Sequence, residues 1–489
     1  MPAIVVIALA VWTPGGDRLS AADQPNIVVI VADDLGNADL GYRGSSIRTP
    51  NIDALAMGGV RLESWYGLPL CTPARAALLT GRYPMRHGLQ TLVIFPSHTY
   101  GLPTDERTLP QALKEVGYRT LMVGKWHLGH ADRKYWPQNR GFDHFYGNVV
   151  GEVDYYTKDR GGVLDWQRNG TFLKEEGYYL DLIGDEAVKL IGEHDPPQPM
   201  FLYFASLAPH APYQAPQPDI DAYQTTFDDP LHRTYAAMIT NLDRQVGRIV
   251  AALEQKSMRE NTLIFFTSDN GGATSALFAT GARSPEEREE SGGVALGSRP
   301  PASNGPFSGG KGTLKEGGVR QPTFVNWPAQ LKPAVVHEPL HHVDLMPTLL
   351  ALAGAKGDAA KPFDGKDATE TITQGKPTPH EDILINIEAF RGSIRKGPWK
   401  LTHIAMLPAK TELFNVVEDP GEQHDVAALH PGVVRDLKER LNAYANQQKM
   451  SEWLKAQVDF LGFQGETVLD QGYNVDRGGP EEALALPEK

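Results

Sequence analysis

The amino-acid sequence predicts an α/β fold: a large α/β sandwich domain with a central mixed sheet flanked by helices, and a small C-terminal α+β domain with an antiparallel sheet. Two observations support this prediction. Through roughly the first 380 residues, short apolar segments rich in β-branched residues alternate with amphipathic segments, which is the pattern of strands covered by helices on both faces. Beyond that point the pattern changes to short strands separated by turn residues.

The buried strands of the sandwich are recognised by their length, their composition and the polar residues that end them. They are NIVVIVADD (26–34), YRTLMV (118–123), PMFLYFASLAPH (199–210) and NTLIFFTSDNGG (261–272). Helices are predicted after Thr49 and Pro50, over LPQALKEVG (109–117), and from about Leu231 to Gln255. Strands and helices therefore alternate along the chain, as an α/β sandwich requires.

Changes in composition divide the chain into domains. A linker rich in Gly, Pro and Thr (about 355–380) precedes the short strands, which are followed by the helix VVRDLKERLNAYANQQ. We therefore predict a main domain over residues 23–375 and a small C-terminal domain with a polar tail over 376–489. Residues 274–308 are rich in Gly, Ser, Pro and charge and are predicted to form a long surface loop, and loops of this size are commonly functional lids or disordered.

The N-terminal sequence predicts export. The apolar run MPAIVVIALAVW is followed by small residues at Ser20, Ala21 and Ala22. This order is that of the apolar core and cleavage zone of a secretory signal peptide, although the basic residues that normally precede the core are missing. Because twelve apolar residues are too few to span a bilayer, we favour a signal peptide over residues 1–22 rather than a membrane anchor. We expect a periplasmic or secreted protein with no membrane partner.

The charge of the chain argues against one class of partner. Its formal net charge is −13, with 60 acidic and 47 basic residues and no strongly basic stretch, so nucleic acid is not expected as the main partner. A small anionic substrate remains compatible with this charge. Salt screens charges beyond roughly 8 Å, whereas a close ion pair near a protein surface is worth about 4 kcal/mol. A few local cations therefore outweigh the distant acidic excess.

Polar side chains end the four predicted strands, at the edge where ligands gather in open α/β sheets. The acidic and amide residues are Asp33, Asp34, Asp269 and Asn270, and the basic residues are Lys125, His127 and His210. The first set provides hard oxygen ligands, which calcium and magnesium prefer. A single Asp after a strand is more often a turn residue or a helix cap. The combination of acidic pairs at two strand ends with basic residues at two others predicts a metal site.

The single cysteine, Cys71, lies in PLCTPARAALLTG (69–81). A lone cysteine forms no intrachain disulfide and is commonly a small buried hydrophobe or, with a histidine elsewhere, a thiol nucleophile. Here the residues that follow it form a predicted helix. Cys71 is therefore expected at or near a helix N-terminus, where free N–H groups and the helix dipole favour an anion. Arg75, one helical turn later, would point toward the same end.

The motif C-x-P-x-R followed by AALLTG resembles the signature of the type I sulfatases of the alkaline phosphatase superfamily. GYRTLMVGKWH (117–127) is similar to the second signature of that family. The resemblance continues in order through APHAPY, TSDNGG, GGKGTLKEGGVRQP, HHVDLMPTLLALAG, GPWKL and ELFNVVEDPGE. It covers nearly the whole mature chain and is strongest to the arylsulfatase B (N-acetylgalactosamine-4-sulfatase) branch.

This resemblance implies a sulfuric ester hydrolase of the arylsulfatase type, with residues 23–375 as its catalytic domain. In the family the cysteine is oxidised to formylglycine, which implies a formylglycine-generating enzyme as a partner during maturation. The hydrated formylglycine then supplies a gem-diol oxygen as the nucleophile. The resemblance also implies one calcium ion per chain, with ligands at Asp33, Asp34, Cys71, Asp269 and Asn270.

The resemblance also implies roles for the basic residues. Arg75, Lys125 and Lys311 match the positions that, together with calcium, neutralise and polarise the sulfate. His210 matches the residue that protonates or stabilises the departing alcohol oxygen. His127 matches the residue that deprotonates the second diol hydroxyl, so that sulfate leaves and the aldehyde is regenerated. A diol thus releases sulfate without hydrolysis of the covalent ester, which a serine could not do.

Three alternatives compete with parts of this interpretation. GPFSGGKG (305–312) is one residue from a P-loop, but Gly312 occupies the Ser or Thr position and no apolar strand precedes it, so we reject nucleotide binding. A phosphate or phosphonate monoester hydrolase of the same superfamily can share the metal and nucleophile geometry. A protein that binds sulfated glycans and leaves Cys71 unconverted is the alternative from a different class.

The resemblance implies a sulfated carbohydrate, such as an N-acetylgalactosamine sulfate, as the substrate, with aryl sulfates as surrogates. After GFDHFYG some relatives have a serine near the sulfate, whereas this chain has NVVGEVDYY (148–156), and no sulfate contact is assigned there. The pocket walls that select the substrate are expected among Tyr155, Tyr156, His98 and the 274–308 loop. The histidine pair at 341 and 342 is predicted to be structural.

Overall fold

The computed structural model describes residues 24–275 and 300–460, which form the predicted α/β sandwich followed by a small antiparallel sheet. The predicted signal peptide, most of the predicted 274–308 loop and the polar tail beyond residue 460 lie outside the described residues. None of the helices in the described ranges combines the length and the apolar character that crossing a bilayer requires.

The strands of the described ranges are numbered in chain order. They are β1 (Asn26–Ala32), β2 (Val60–Leu62), β3 (Trp65–Tyr66), β4 (Arg119–Lys125), β5 (His144–Asn148), β6 (Asp159–Arg160), β7 (Val163–Leu164), β8 (Gln167–Arg168), β9 (Thr171–Phe172), β10 (Met200–Ala205), β11 (Thr262–Ser268), β12 (Phe324–Asn326), β13 (Ala334–Val336), β14 (Leu340–His341), β15 (Ile383–Ile387), β16 (Arg391–Lys396), β17 (Trp399–Ile404) and β18 (Lys410–Asn415).

The α-helices of the same ranges are likewise numbered in chain order. They are α1 (Pro50–Met57), α2 (Cys71–Thr80), α3 (Leu109–Lys114), α4 (Tyr179–Gly192), α5 (Gln217–Asp221), α6 (Pro230–Gln255), α7 (Glu316–Val319), α8 (Leu345–Leu352), α9 (Thr369–Gln374), α10 (Pro431–Ala445) and α11 (Glu452–Phe460).

Ten strands form the central sheet, in the order β13-β2-β12-β11-β1-β10-β4-β5-β8-β9. The five strands β11, β1, β10, β4 and β5 are mutually parallel, and antiparallel strands flank them on both sides. The prediction of a mixed sheet is therefore confirmed. Strands β1, β10 and β11 are buried along their whole length, which explains why they are continuous apolar runs and not alternating ones.

The helices flank the sheet in two groups, one in which α1, α4 and α5 contact α6 and another in which α2, α3 and α8 contact one another. The long helix α6 agrees with the prediction to within one residue at its start. The side chain of Asp229 accepts a hydrogen bond from the Leu231 N–H at 3.0 Å, and Pro230 occupies the first helical position. Both features are typical of a helix N-terminus.

The C-terminal sheet consists of the antiparallel strands β15, β16, β17 and β18 in chain order, with α10 packed on it. This confirms the predicted antiparallel unit. Its apolar side chains, including Leu384 and Ile394, share one buried cluster with Ala74 and Ala77 of α2. The sheet therefore packs against the helix that begins at Cys71.

A buried ionic network also joins the C-terminal sheet to the segment after Lys311. Lys400 of β17 lies between two carboxylates, 2.9 Å from Glu316 Oε1 and 3.0 Å from Glu422 Oε1, and all three side chains are almost fully buried. Burial alone would raise the pKa of Glu316, but Lys400 and Arg320 outweigh it and hold that pKa at about 2. The network therefore fixes α7, which begins at Glu316.

Replacing Lys400 tests how much this network stabilises the protein. Lys400→Met removes the buried cation between Glu422 and Glu316, of which Glu316 keeps its pair with Arg320. We therefore expect a loss of about 3–5 kcal/mol in the free energy of unfolding, measured by urea denaturation. The matched control is Lys410→Met, because the Lys410 ammonium is 60% exposed in its pair with Glu412. The control should change the free energy by less than about 1 kcal/mol. Equal small changes in both variants would contradict the proposed stabilisation.

Candidate active site

The residues predicted to carry the chemistry converge at the carboxyl ends of the parallel strands. None of them exposes more than 8% of its surface. They are Asp33 and Asp34 after β1, Cys71 and Arg75 of α2, Lys125 and His127 at and after β4, His210 after β10, Asp269 and Asn270 after β11, and Lys311 before α7. The parallel register places the ends of these strands side by side, with Ala32 opposite Ser268 and Val31 opposite Ala205.

Cys71 is the first residue of α2, as predicted, and its thiol is buried in the cluster. The Sγ–H donates to Asp33 Oδ1 at 3.6 Å. Burial raises the pKa of the Cys71 thiol well above its ordinary value, and the nearby Lys125 and Lys311 only partly oppose this effect. Because the thiolate is the nucleophilic form of cysteine, unmodified Cys71 is a poor nucleophile at neutral pH.

The guanidinium of Arg75 connects three strand ends. Its Nε and Nη2 donate to Asp269 Oδ2 at 3.1 and 2.9 Å, its Nη1 donates to the Lys125 carbonyl at 3.1 Å, and Nη2 lies 3.4 Å from Asp33 Oδ2. The side chain is fully buried. A planar guanidinium suits this position because its several donors are held in a fixed arrangement, which a lysine ammonium could not reproduce.

The two lysines neutralise the remaining carboxylates. Lys125 Nζ pairs with Asp33 Oδ2, and Lys311 Nζ lies 2.7 Å from Asp34 Oδ2. Burial alone would raise the pKa of Asp33, but Lys125, His210 and Arg75 outweigh it and hold that pKa below its ordinary value. Counted with Asp269, three carboxylates therefore face three basic side chains, and the cluster is close to neutral.

The oxygen atoms of the cluster fit a divalent metal ion. One carboxylate oxygen each from Asp33 and Asp34 lies within 4.8 Å of the other, of Cys71 Sγ and of a ring nitrogen of His210. Asn270 Nδ2 donates to Asp34 Oδ1 at 2.7 Å, and Asn270 Oδ1 is buried with no hydrogen-bond partner among the described residues. An orphaned amide oxygen beside buried carboxylates is a donor set suited to a hard cation such as calcium or magnesium.

Asp269 is connected to this group through hydrogen bonds. Its Oδ1 accepts the N–H groups of Asn270 at 2.8 Å and of Asp34 at 3.3 Å, while its Oδ2 faces Arg75. The structure thus brings together all five residues predicted as metal ligands. His210 joins the same group of ligand-type atoms, although the sequence predicted only a role in proton transfer for it.

His210 is oriented by its own main chain and by Tyr155. Its Nδ1 contacts the carbonyl of Ala211, which only accepts hydrogen bonds, so Nδ1 carries a proton and Nε2 faces the cluster, 3.7 Å from Asp34 Oδ2. The Tyr155 hydroxyl is 2.9 Å from both the His210 and the Leu207 carbonyls. Tyr155 was expected on a pocket wall, and the structure places it fully buried beside His210.

His127 lies beside the N-terminus of α2, since Thr72 Oγ1 donates to its carbonyl at 3.1 Å. Its ring Nε2 donates to the Ile94 carbonyl at 3.0 Å, while Nδ1 is buried without a partner among the described residues. Burial, with Lys125 and Arg75, lowers the pKa of His127 well below its ordinary value. The ring is therefore neutral, and Nδ1 is the atom that can accept a proton.

Gly151 makes room for the His127 ring. A Cβ at position 151 would lie 2.4 Å from His127 Cε1, so any other residue there would displace the imidazole. The segment after β5 therefore packs directly against the site. This is the segment in which the sequence departs from the family pattern.

The other expected pocket-wall residues differ in exposure. Tyr156 is 42% exposed, whereas His98 is buried and stacks on Tyr100 with ring centroids 4.9 Å apart. Of the 274–308 loop, residues 276–299 lie outside the described part of the chain. Tyr156 is thus accessible, as are Ser303 and Pro306 in the described part of the expected loop.

His342 has a role that the sequence did not indicate. Its Nδ1 accepts a hydrogen bond from Trp65 Nε1 at 2.7 Å, and its Nε2 donates to the Asp269 carbonyl at 3.1 Å. Burial lowers the pKa of His342 to about 4, so the ring is neutral. The burial of His342 agrees with the prediction that this histidine is structural. Its ring also fixes the main chain of Asp269, a predicted metal ligand.

Comparisons with known proteins point to one family. The sulfatase family model matches residues 25–355. Arylsulfatase J of Mus musculus is 35% identical over 87% of this chain and 76% of its own length. N-acetylgalactosamine-6-sulfatase of Mus musculus is 35% identical over 76% of this chain and 70% of its own length. Among solved structures, Ps i-CgsB in complex with k-i-k-neocarrahexaose is similar with a TM-score of 0.78 and 31% identity, covering 92% of this chain and 100% of that one.

Proposed function

The chain belongs to the sulfatase family and is a sulfuric ester hydrolase, and we propose that it cleaves the S–O bond of a sulfated carbohydrate at a formylglycine formed from Cys71. The observation that carries the proposal is the surroundings of Cys71. Its side chain lies at a helix N-terminus, 3.6 Å from Asp33 and close to three basic groups. An anion is favoured there, yet the thiol itself is poorly ionised.

Conversion of Cys71 resolves this conflict between an anion-binding position and an unreactive thiol. The hydrated aldehyde supplies two geminal hydroxyls, one to attack sulfur and a second whose deprotonation releases the sulfate. A formylglycine-generating enzyme is therefore the maturation partner that we propose. By this proposal the N-terminal segment directs export and is then removed. The catalytic domain of the mature enzyme ends near residue 375.

Arg75, Lys125 and Lys311 hold and neutralise the sulfate group in this proposal. A sulfate monoester is an anion that repels nucleophiles, so its charge must be offset before attack. The three basic groups already face three carboxylates, and their charges are largely balanced. Calcium is the ion we propose to be held by Asp33, Asp34, Asp269 and Asn270. When bound, it would add the positive charge that the balanced cluster lacks and polarise the sulfate oxygens.

The two histidines transfer protons on opposite sides of the reaction. His210 has Nδ1 committed to the Ala211 carbonyl, so the doubly protonated ring would give its Nε2 proton to the departing alcohol oxygen and remain neutral with its proton on Nδ1. His127 is neutral with Nδ1 available, so it accepts a proton from the second hydroxyl at position 71. The two histidines have different roles because His210 binds a carbonyl through Nδ1 and His127 binds one through Nε2.

A sulfated sugar is the proposed substrate class. The relatives support it, because one is named as an N-acetylgalactosamine-6-sulfatase and a similar solved structure holds k-i-k-neocarrahexaose. A binding protein without catalysis would not need two differently poised histidines beside a buried nucleophile position. Hydrolysis of phosphate or phosphonate monoesters is the alternative that the first experiment below addresses.

Matched aryl esters test the reaction class. Protein produced together with a formylglycine-generating enzyme should hydrolyse 4-nitrophenyl sulfate with a kcat/KM at least tenfold above that for 4-nitrophenyl phosphate. Cys71→Ala should reduce the sulfatase rate by at least about 10³-fold, because the nucleophile is lost, while the thermal midpoint changes little. A preference for the phosphate ester would contradict the sulfatase assignment, and activity retained in Cys71→Ala would contradict the nucleophile.

Metal removal tests the proposed calcium site through stability as well as activity. Chelation should lower the thermal midpoint and the rate, and calcium should restore both, since an ion that binds only the folded state stabilises it by about 2.7 kcal/mol at 100 times its Kd. Asp34→Asn should weaken this response. The control is Asp243→Asn, because that buried carboxylate binds Asn51 and the Ile52 N–H of α1. A calcium response unchanged in Asp34→Asn, or larger with magnesium, would contradict the assignment.

A further inference from the structure

A row of charged side chains leads from the buried cluster toward solvent. His210 Nε2 lies 3.7 Å from Asp34 Oδ2, His210 Nδ1 lies 3.8 Å from Glu152 Oε2, and Glu152 Oε1 lies 3.0 Å from Arg160 Nη2. Side-chain exposure rises steadily along the row. It is 3% at Asp34, 10% at His210, 17% at Glu152 and 24% at Arg160. The row therefore runs from the buried cluster toward the surface of the protein.

The position of His210 in this row decides which part of the substrate lies beside Glu152. In the proposed function, Asp34 belongs to the end that holds the sulfate and His210 protonates the departing alcohol. The alcohol oxygen must then lie at His210 Nε2, on the Asp34 side of the ring, and the sugar that carries it extends past the ring toward solvent. Glu152 and Arg160 are the charged groups that follow His210 in that direction.

We infer that the Glu152–Arg160 pair is a specificity site that binds hydroxyl groups of the leaving sugar. This inference rests on the proposed function and deepens it. A carboxylate accepts hydrogen bonds from two sugar hydroxyls, and a guanidinium donates to their oxygens, so the pair matches a vicinal diol. The contact of Glu152 with His210 is longer than a hydrogen bond, and the carboxylate keeps the capacity to accept from a ligand.

The segment that carries the pair is held in place before any ligand binds. Asp154 Oδ1 accepts the N–H groups of Tyr156 and Thr157 at 2.8 and 2.9 Å. Lys158 Nζ donates to three carbonyls, including that of Glu175 at 2.8 Å. A fixed pair recognises a ligand with little loss of conformational freedom.

Glu152 also lies where this sequence departs from the family pattern. A carboxylate close to the sulfate itself would repel it. Placing Glu152 against the neutral hydroxyls of the leaving sugar removes that conflict. In this inference, Glu152 contributes to the choice of substrate.

The test compares two substrates with different leaving groups in Glu152→Gln and Arg160→Gln. The sugar probe is galactose or N-acetylgalactosamine monosulfate, whichever isomer the wild type hydrolyses, and the reference is 4-nitrophenyl sulfate, which has no hydroxyl on its leaving group. We expect each variant to lose about 10- to 100-fold in kcat/KM for the sugar, mainly through KM, because a hydrogen bond to a charged group is removed. The loss for the aryl ester should stay below about threefold.

A deoxy sugar sulfate gives a sharper version of the same comparison. The analogue that lacks one hydroxyl next to the leaving oxygen should be a poor substrate of the wild type, and Glu152→Gln should reduce its kcat/KM little further. If both variants lose equal factors on sugar and aryl esters, Glu152 acts through His210 and the inference is overturned. The inference is also overturned if Glu152→Gln reduces kcat/KM for the deoxy analogue by the same factor as for the parent sugar.

The matched control is Glu63→Gln, because Glu63 forms an ion pair of similar exposure with Arg43 at 2.8 Å, next to β2. It should leave the ratio of sugar to aryl turnover at the wild-type value. Failure of the proposed function is distinguishable from failure of this inference. A wild type that hydrolyses no sulfate ester refutes the function, whereas a wild type that hydrolyses aryl but no sugar sulfate refutes the substrate class and with it this site.

Discussion

Charge balance in the buried cluster is the constraint on which the rest of the structure depends. Three carboxylates and three basic side chains are withdrawn from water at the ends of the parallel strands, where an unpaired ion would cost several kcal/mol, on the order of 3–5. Each ion is therefore fixed by a partner from a different strand or loop. In the proposed function, a metal cation and a sulfate anion that bind together would disturb this balance less than the metal cation alone.

The need to hold these ions explains features remote from them. Lys311 can face Asp34 only if its loop is fixed, and the buried network around Lys400 and Glu316 fixes the end of that loop from the C-terminal sheet. Arg391 of the same sheet donates to the Gly312 carbonyl at 2.9 Å. The small C-terminal sheet thus contributes to the site through the main chain next to Lys311.

Much of this arrangement could be predicted because it is local in sequence. The strands are continuous apolar runs, their polar ends are adjacent residues, and a parallel sheet necessarily aligns those ends. Helix α6 and the start of α2 at Cys71 were predictable from N-terminal signals and from periodicity. The predicted strand 199–210 was too long, because after Ala205 the chain leaves the sheet for the turns that place His210.

The remaining features depend on contacts between distant segments, for which a single sequence carries no signal. His342 meets the Asp269 carbonyl 73 residues away, and Lys400 meets Glu316 84 residues away. Tyr155 was expected on a pocket wall, and no feature of the sequence indicated that its hydroxyl would bind the His210 carbonyl. Glu152 became visible as a site residue only through its distances to His210 and Arg160.

The most direct test of the central claim is the mass of the tryptic peptide Leu62–Arg75 from protein made in its native host. We predict a mass that matches the aldehyde or its hydrate at position 71, which would identify the nucleophile. An intact thiol in this peptide, persisting with full sulfatase activity after production with a formylglycine-generating enzyme, would contradict the claim that Cys71 acts only after conversion.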